Sequence, residues 1–222
     1  MSSGSPASGI TAGSYKTPGG WPSTVPGVDW LVALLGFGFV CTVTPGPNNI
    51  LLWASGATFG LRRSWPHVLG TALGVGLLAI LVAAGLGVLV TTVPGLALAM
   101  KVGGSLYLLY LAWQVAGAGA LQQTTASHPM GLLQATAFQL VNPKVWIFAV
   151  GAVSTFRPVD VPVALGSALV ALTMMAVTVP TALVWVVAGD VLNRLIERPA
   201  SRRAVSLGLA LLIVATIVLV WI

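Results

Sequence analysis

Between Trp30 and Ile222 charge almost vanishes from this chain, and what remains divides into six long apolar stretches. They run from about Trp30 to Thr58, Trp65 to Val93, Leu96 to Ala116, Met130 to Phe156, Pro162 to Ala188, and Ala204 to Ile222. About 20 apolar residues are enough to cross a hydrocarbon core. Only 6% of the 222 residues are charged, against about a quarter in a soluble domain. So few charges cannot cover a water-facing surface, and lipid must be the solvent for most of the chain. The mean hydropathy of +0.97 agrees. Because backbone groups in lipid must be satisfied internally, the expected fold is an all-α membrane protein of six transmembrane helices. Residues 1–27 are polar and rich in Gly, Ser and Pro, with no apolar run. They read as a flexible N-terminal tail rather than a signal peptide or span, which leaves 28–222 as a single six-span domain.

The same composition narrows the function. A net charge of +6 comes from ten Lys and Arg scattered among apolar runs, which is not a nucleic-acid-binding patch. A single cysteine, Cys41, rules out an intrachain disulfide, a Cys–Cys metal site and paired-thiol redox chemistry, and reads as a small packing residue. A divalent-metal exporter would want clustered His, Cys or carboxylates, and the spans supply almost none. No catalytic group or cofactor is called for.

Cationic residues set an orientation. Arg62 and Arg63 fall in the loop after the first span, and Arg194, Arg198, Arg202 and Arg203 in the loop after the fifth. The second and fourth loops offer little beyond Arg157, accompanied by Asp160. The positive-inside rule places loops one, three and five in the cytoplasm and both termini outside. Gly70 and Gly74 at GxxxG spacing, with Gly76, Gly85 and Gly87, read as a seam for close helix packing, within or between chains.

Two stretches are interrupted where lipid tolerates it least. "VTPGPNN" (43–49) lies in the first span and "VNPK" (141–144) in the fourth. Proline removes a backbone donor and clashes with the carbonyl one turn earlier, and each unsatisfied group in lipid costs several kcal/mol. A non-transporting scaffold needs no such breaks. Superposing Val43-Thr44-Pro45 on Val141-Asn142-Pro143 also aligns the flanking hydrophobic profiles. Each half then holds three spans with the first broken by proline. An odd number of spans per half makes this an inverted-topology repeat, whose paired breaks mark a mid-membrane substrate site.

Broken helices offer N–H ends to a carboxylate and carbonyl ends to an ammonium, which suits an amino-acid zwitterion. Candidate substrate-binding residues are therefore Thr44, Pro45, Gly46, Pro47, Asn48, Asn49, Asn142, Pro143 and Lys144. The asparagines can equally satisfy the broken backbone itself. Lys144 is the sharpest signal: a charge near mid-span costs about 2.5–3.5 kcal/mol, and it sits beside the positive end of its own helix. It is expected to attract an anion, either a substrate carboxylate or a protein acid. Yet Asp29, Asp160, Asp190 and Glu197 all lie at predicted ends or loops, so no proton-coupling carboxylate is visible. Lys101, Tyr107 and His67 are secondary candidates; Lys101 reads mainly as a snorkelling side chain and His67 as an interfacial one.

With these motifs the chain resembles the lysine exporter (LysE/RhtB-type) family of bacterial amino-acid efflux proteins. The likeness is carried by "TPGPNN", "GLRRSWPHVLGTALGVG", "MKVGGSLYLLYLAW" and "FQLVNPKVWIF", in order across most of residues 30–156. It implies a multi-pass inner-membrane exporter of amino acids or related metabolites, driven by protons. Its motif positions carry over to Pro45, Gly46, Pro47, Asn48, Asn142, Pro143 and Lys144, and to Lys101, Gly103, Tyr107 and Leu108. The long N-terminal tail departs from the pattern.

Overall fold

A computed structural model describes residues 27–118, 128–196 and 199–221, and these are helical with no strand among them. The expected tail and most of the third loop ("GAGALQQTTASH") lie outside the described residues, as do Glu197 and Arg198. The helices are α1 (Val28–Val43), α2 (Pro47–Arg63), α3 (Trp65–Leu81), α4 (Gly87–Thr92), α5 (Leu96–Ala118), α6 (Leu132–Val141), α7 (Pro143–Phe156), α8 (Val163–Leu195) and α9 (Pro199–Trp221).

Each apolar stretch thus becomes a helix or a pair of helices. The first is broken after Val43 and bends by 66° into α2; the fourth is broken after Val141 and bends by 76° into α7. Proline opens each second half, Pro47 in α2 and Pro143 in α7, where its missing N–H is no loss. By length and composition, Trp65–Leu86 and Val163–Leu195 can each cross a membrane, and the two bent pairs raise the number to four. The third and sixth stretches form α5 and α9, of 23 residues each.

Three departures from expectation have local causes. The second stretch carries an interruption of its own, a π turn over Val82–Leu86 with Gly85 at φ 106°. No side chain crowds that glycine, so it serves backbone conformation rather than the packing seam, and only glycine adopts that angle cheaply. The end of α2 likewise turns at Gly60, φ 73°. Finally, α8 continues through what reads as the start of the fifth loop. Asp190 and Arg194 pair at 2.8 Å one turn apart, the spacing that supports a helical surface.

Packing fixes where the breaks lie. The α1–α2 pair packs on α8, the α6–α7 pair on α3, α3 on α8, and α5 on α9. Backbones approach closely where glycine permits. A Cβ on Gly70 would meet Ala135 at 2.7 Å and one on Gly74 would meet Gln139 at 2.6–2.7 Å, so those two form the α3–α6 seam as expected. The tightest crossing involves glycines the sequence did not single out. A Cβ on Gly56 would overlap the Val186 carbonyl, and one on Gly189 the Trp53 carbonyl. This α2–α8 crossing holds the first break against the centre of the molecule.

Gly189→Ala should therefore force the two helices apart at a cost of about 1–3 kcal/mol, the usual range for overpacking. Gly103→Ala, whose Cβ would meet nothing within 4 Å, should be neutral. Thermal unfolding in detergent micelles checks the pair; equal melting temperatures would contradict this packing.

Candidate functional site

The residues of the first break are held by a nearly complete set of substitute hydrogen bonds. With Pro45 and Pro47 lacking N–H groups, the last carbonyls of α1 lose their helical partners. Thr44 Oγ1 donates to the Cys41 carbonyl at 3.1 Å. Asn49 Nδ2 donates to the Thr42 carbonyl at 2.8 Å and the Thr44 carbonyl at 2.7 Å. Lys144 Nζ, from the other half of the chain, donates to the Thr44 carbonyl at 2.5 Å and the Pro45 carbonyl at 3.2 Å. The Gly46 carbonyl resumes the helical pattern by accepting from Ile50 N at 3.1 Å.

At the second break Asn142 caps its helix, its Oδ1 accepting from Lys144 N at 3.2 Å. Its carbonyl accepts from Val145 N at 3.0 Å, and Trp146 Nε1 donates to the Leu140 carbonyl at 2.7 Å. Asn48 links the halves from the other side: its Oδ1 accepts from Gln139 Nε2 at 2.8 Å and Thr71 Oγ1 at 3.3 Å. Asn48, Gln139, Thr71 and Asn142 are all buried.

The two interruptions therefore meet, and Lys144 is the direct link. The cost expected from its own helix N-terminus is offset because the side chain reaches away from that end, to the carbonyl terminus of α1, where the helix dipole is negative. Its ammonium also lies 5.2 Å from the centre of the Phe148 ring, within cation–π range. The anion expected beside it is replaced by carbonyl dipoles and a ring face. Gly46 allows this approach: a Cβ there would stand 2.7 Å from Lys144 Cδ and 2.9 Å from Nζ.

Between the breaks lies a cavity of about 30 Å³, room for one or two waters. Gly46, Asn48, Asn49, Asn142 and Lys144 line it, joined by Cys41, Thr42, Thr71, Gln139, Phe148, Thr178 and Thr181. Of the predicted residues, Thr44 and Pro45 contribute carbonyls to Lys144, while Pro47 and Pro143 start α2 and α7. Sequence reasoning missed Gln139, Thr71, Thr178 and Thr181. Their only signal is polarity within apolar stretches, and a hydroxyl bonded to the carbonyl one turn back, as in Thr178 and Thr181, is common in buried helices.

The secondary candidates lie elsewhere. Lys101 is exposed and sits 5.8 Å from the Trp221 ring, joining α5 to α9. Tyr107 stacks 5.5 Å from Phe138. With buried His67 it lines a separate cavity of about 790 Å³ between α2, α3, α5 and α6. Neither ring nitrogen of His67 has a hydrogen-bond partner. In the third-span motif it is Gly104, not Gly103, that receives Pro143, its Cβ position 3.2 Å from the proline ring.

This arrangement sits within a wider likeness. The chain belongs to the LysE type translocator family. The family's model matches residues 39–221, which takes in both breaks. The cysteine/O-acetylserine efflux protein of Klebsiella pneumoniae is 34% identical over 165 residues, covering 73% of this chain and 83% of that protein. Efflux proteins of the same description from Salmonella typhimurium and Escherichia coli O9:H4 are 31% identical over 127 residues. Those matches cover 57% of this chain and 65% of each relative, just under two thirds of their length. No solved structure matches the chain. This LysE-type protein is thus a multi-pass membrane transporter and not an enzyme.

Substituting Asn48 by Leu should strand one buried N–H of Gln139, costing about 1–3 kcal/mol of stability. Thr71→Val should cost less, because the Thr71 hydroxyl already donates to the His67 carbonyl at 2.9 Å. Melting temperatures of the two variants in the same detergent check the order; the reverse order would contradict the network.

Proposed function

We propose that this LysE-type protein exports small neutral amino acids across the bacterial inner membrane, with the substrate held between the two breaks. The observation that carries this reading is the meeting of the carbonyl end of α1, two helix N-termini and the Lys144 ammonium at a cavity whose lining holds no carboxylate. A zwitterion fits such a set; a second cation does not. The relatives are efflux proteins for cysteine and O-acetylserine, solutes of this kind.

On this reading all six stretches span the bilayer, as two inverted three-helix repeats that rock against each other around the site, alternating access between its two sides. The packing scheme supports the repeat. Exchanging the halves turns α1–α2 on α8 into α6–α7 on α3, leaves α3 on α8 and α5 on α9 unchanged, and turns α2 beside α9 into α7 beside α5. Two further observations support a state closed on the side where α1 begins and α7 ends. Trp30 Nε1 donates to the Phe156 carbonyl at 2.7 Å, and Phe37 packs on Phe156 at 5.4 Å. The cavity of about 790 Å³ lies toward the other side, where exposed His128 leads into α6. That is the side Arg62 and Arg63 assign to the cytoplasm, from which an exporter loads. Protons are the proposed coupling ion.

The test is a liposome loaded with a mixture of labelled amino acids, followed after a pH gradient is imposed. Cysteine and O-acetylserine should leave faster than lysine or arginine, and a proton ionophore should slow their exit to the protein-free rate. No protein-dependent movement, or movement confined to cationic amino acids, would refute the assignment.

A further inference from the structure

The protein's own cation lies on the groups that face this site. Lys144 Nζ bonds to the Thr44 and Pro45 carbonyls, which are the groups best placed to receive a substrate's ammonium. The lining offers Nζ no carboxylate; its other neighbour is the Phe148 ring. A cavity of about 30 Å³ has no room for the ammonium, Cα and carboxylate of an amino acid. Substrate can take those carbonyls only by moving Lys144 away.

We propose that Lys144 is a tethered stand-in for the substrate's ammonium. This rests on the amino-acid reading above. In the empty carrier Nζ holds the two carbonyls. An arriving amino acid places its own ammonium on them, and the displaced Lys144 pairs with the substrate's carboxylate a few bonds away. One exchange thus uses both charges of the zwitterion, and no charge in the site is left without a partner at either stage.

A consequence follows for the transport cycle. Net export requires the unloaded carrier to return across its intermediate states, and carbonyls left without a donor at membrane depth cost several kcal/mol each. With Lys144 on them the unloaded carrier has the same bonds at this break as the loaded one, so its return is not penalised. Asn49 keeps its contact with the Thr44 carbonyl in both states, so the break does not depend on Lys144 alone. Gly46 is required because a Cβ there would stand 2.7 Å from Lys144 Cδ and 2.9 Å from Nζ, pushing the side chain off the two carbonyls.

The test compares two modes of the same reconstituted protein: net efflux into amino-acid-free buffer, and exchange of internal label for external unlabelled amino acid. In Lys144→Met both rates should fall, since the carboxylate loses its partner. The ratio of net efflux to exchange should fall a further 10- to 100-fold or so, the factor expected for losing a hydrogen bond to a charged group. Lys144→Arg should restore much of that ratio. A ratio unchanged in Lys144→Met overturns the proposal. If that variant yields no measurable rate, the unmodified protein decides. An N-acetylated substrate, which cannot displace Lys144, should fail to compete in exchange, and an N-acetyl form that competes as well as its parent overturns the proposal. Unmodified protein that moves no amino acid in either mode refutes the transport reading itself, whereas a normal wild-type rate with an unchanged ratio refutes only the role of Lys144.

Discussion

The structure depends on how a broken helix is made tolerable in a solvent with no hydrogen bonds to give. Proline at 45 and 47 strips α1 of the partners for its last carbonyls, and no water reaches them from lipid. The protein supplies donors instead. Thr44 and Asn49 come from the break itself, and Lys144 comes from a hundred residues further along the chain. That last contact makes the two halves mutually dependent. The first break needs a donor, and the second carries a charge that needs a negative field. Each is expensive alone, and together they form a polar centre inside an apolar molecule.

Close packing holds the centre in place. Gly56 and Gly189 let α2 and α8 approach to backbone contact, and Gly70 and Gly74 do the same for α3 and α6. In lipid the hydrophobic effect does not press helices together, so close approach and interhelical hydrogen bonds carry the association. The Asn48–Gln139–Thr71 cluster is the polar counterpart of these seams, joining α2, α6 and α3 beside the breaks. On the proposed site, transport and the integrity of the fold draw on the same few residues.

Much of this was legible in the sequence, because the period and length of apolar stretches and the positions of proline are local signals. All six stretches are helical, and both breaks fall where Pro45, Pro47 and Pro143 put them. What was not legible is non-local. Nothing near Lys144 in the chain says that its ammonium reaches the far carbonyls rather than an anion, since the deciding partners lie 99 and 100 positions away. Gly103 and Gly104 are indistinguishable by sequence, and only the position of Pro143 selects the second. Gln139 and Thr71 lie in helices whose apolar context gives them no mark. The turn at Gly85 escaped notice because a glycine used for its backbone angle looks like one used for close packing.

The central claim is that the breaks are joined through Lys144, and it can be measured directly in lipid. Protein labelled with ¹⁵N at lysine Nζ and ¹³C at the carbonyls of threonine and proline should show, by solid-state dipolar recoupling, a nitrogen–carbon contact at hydrogen-bond range. That contact should be absent from Lys144→Met. No such coupling in the native protein, or a coupling that survives the substitution, would contradict the account.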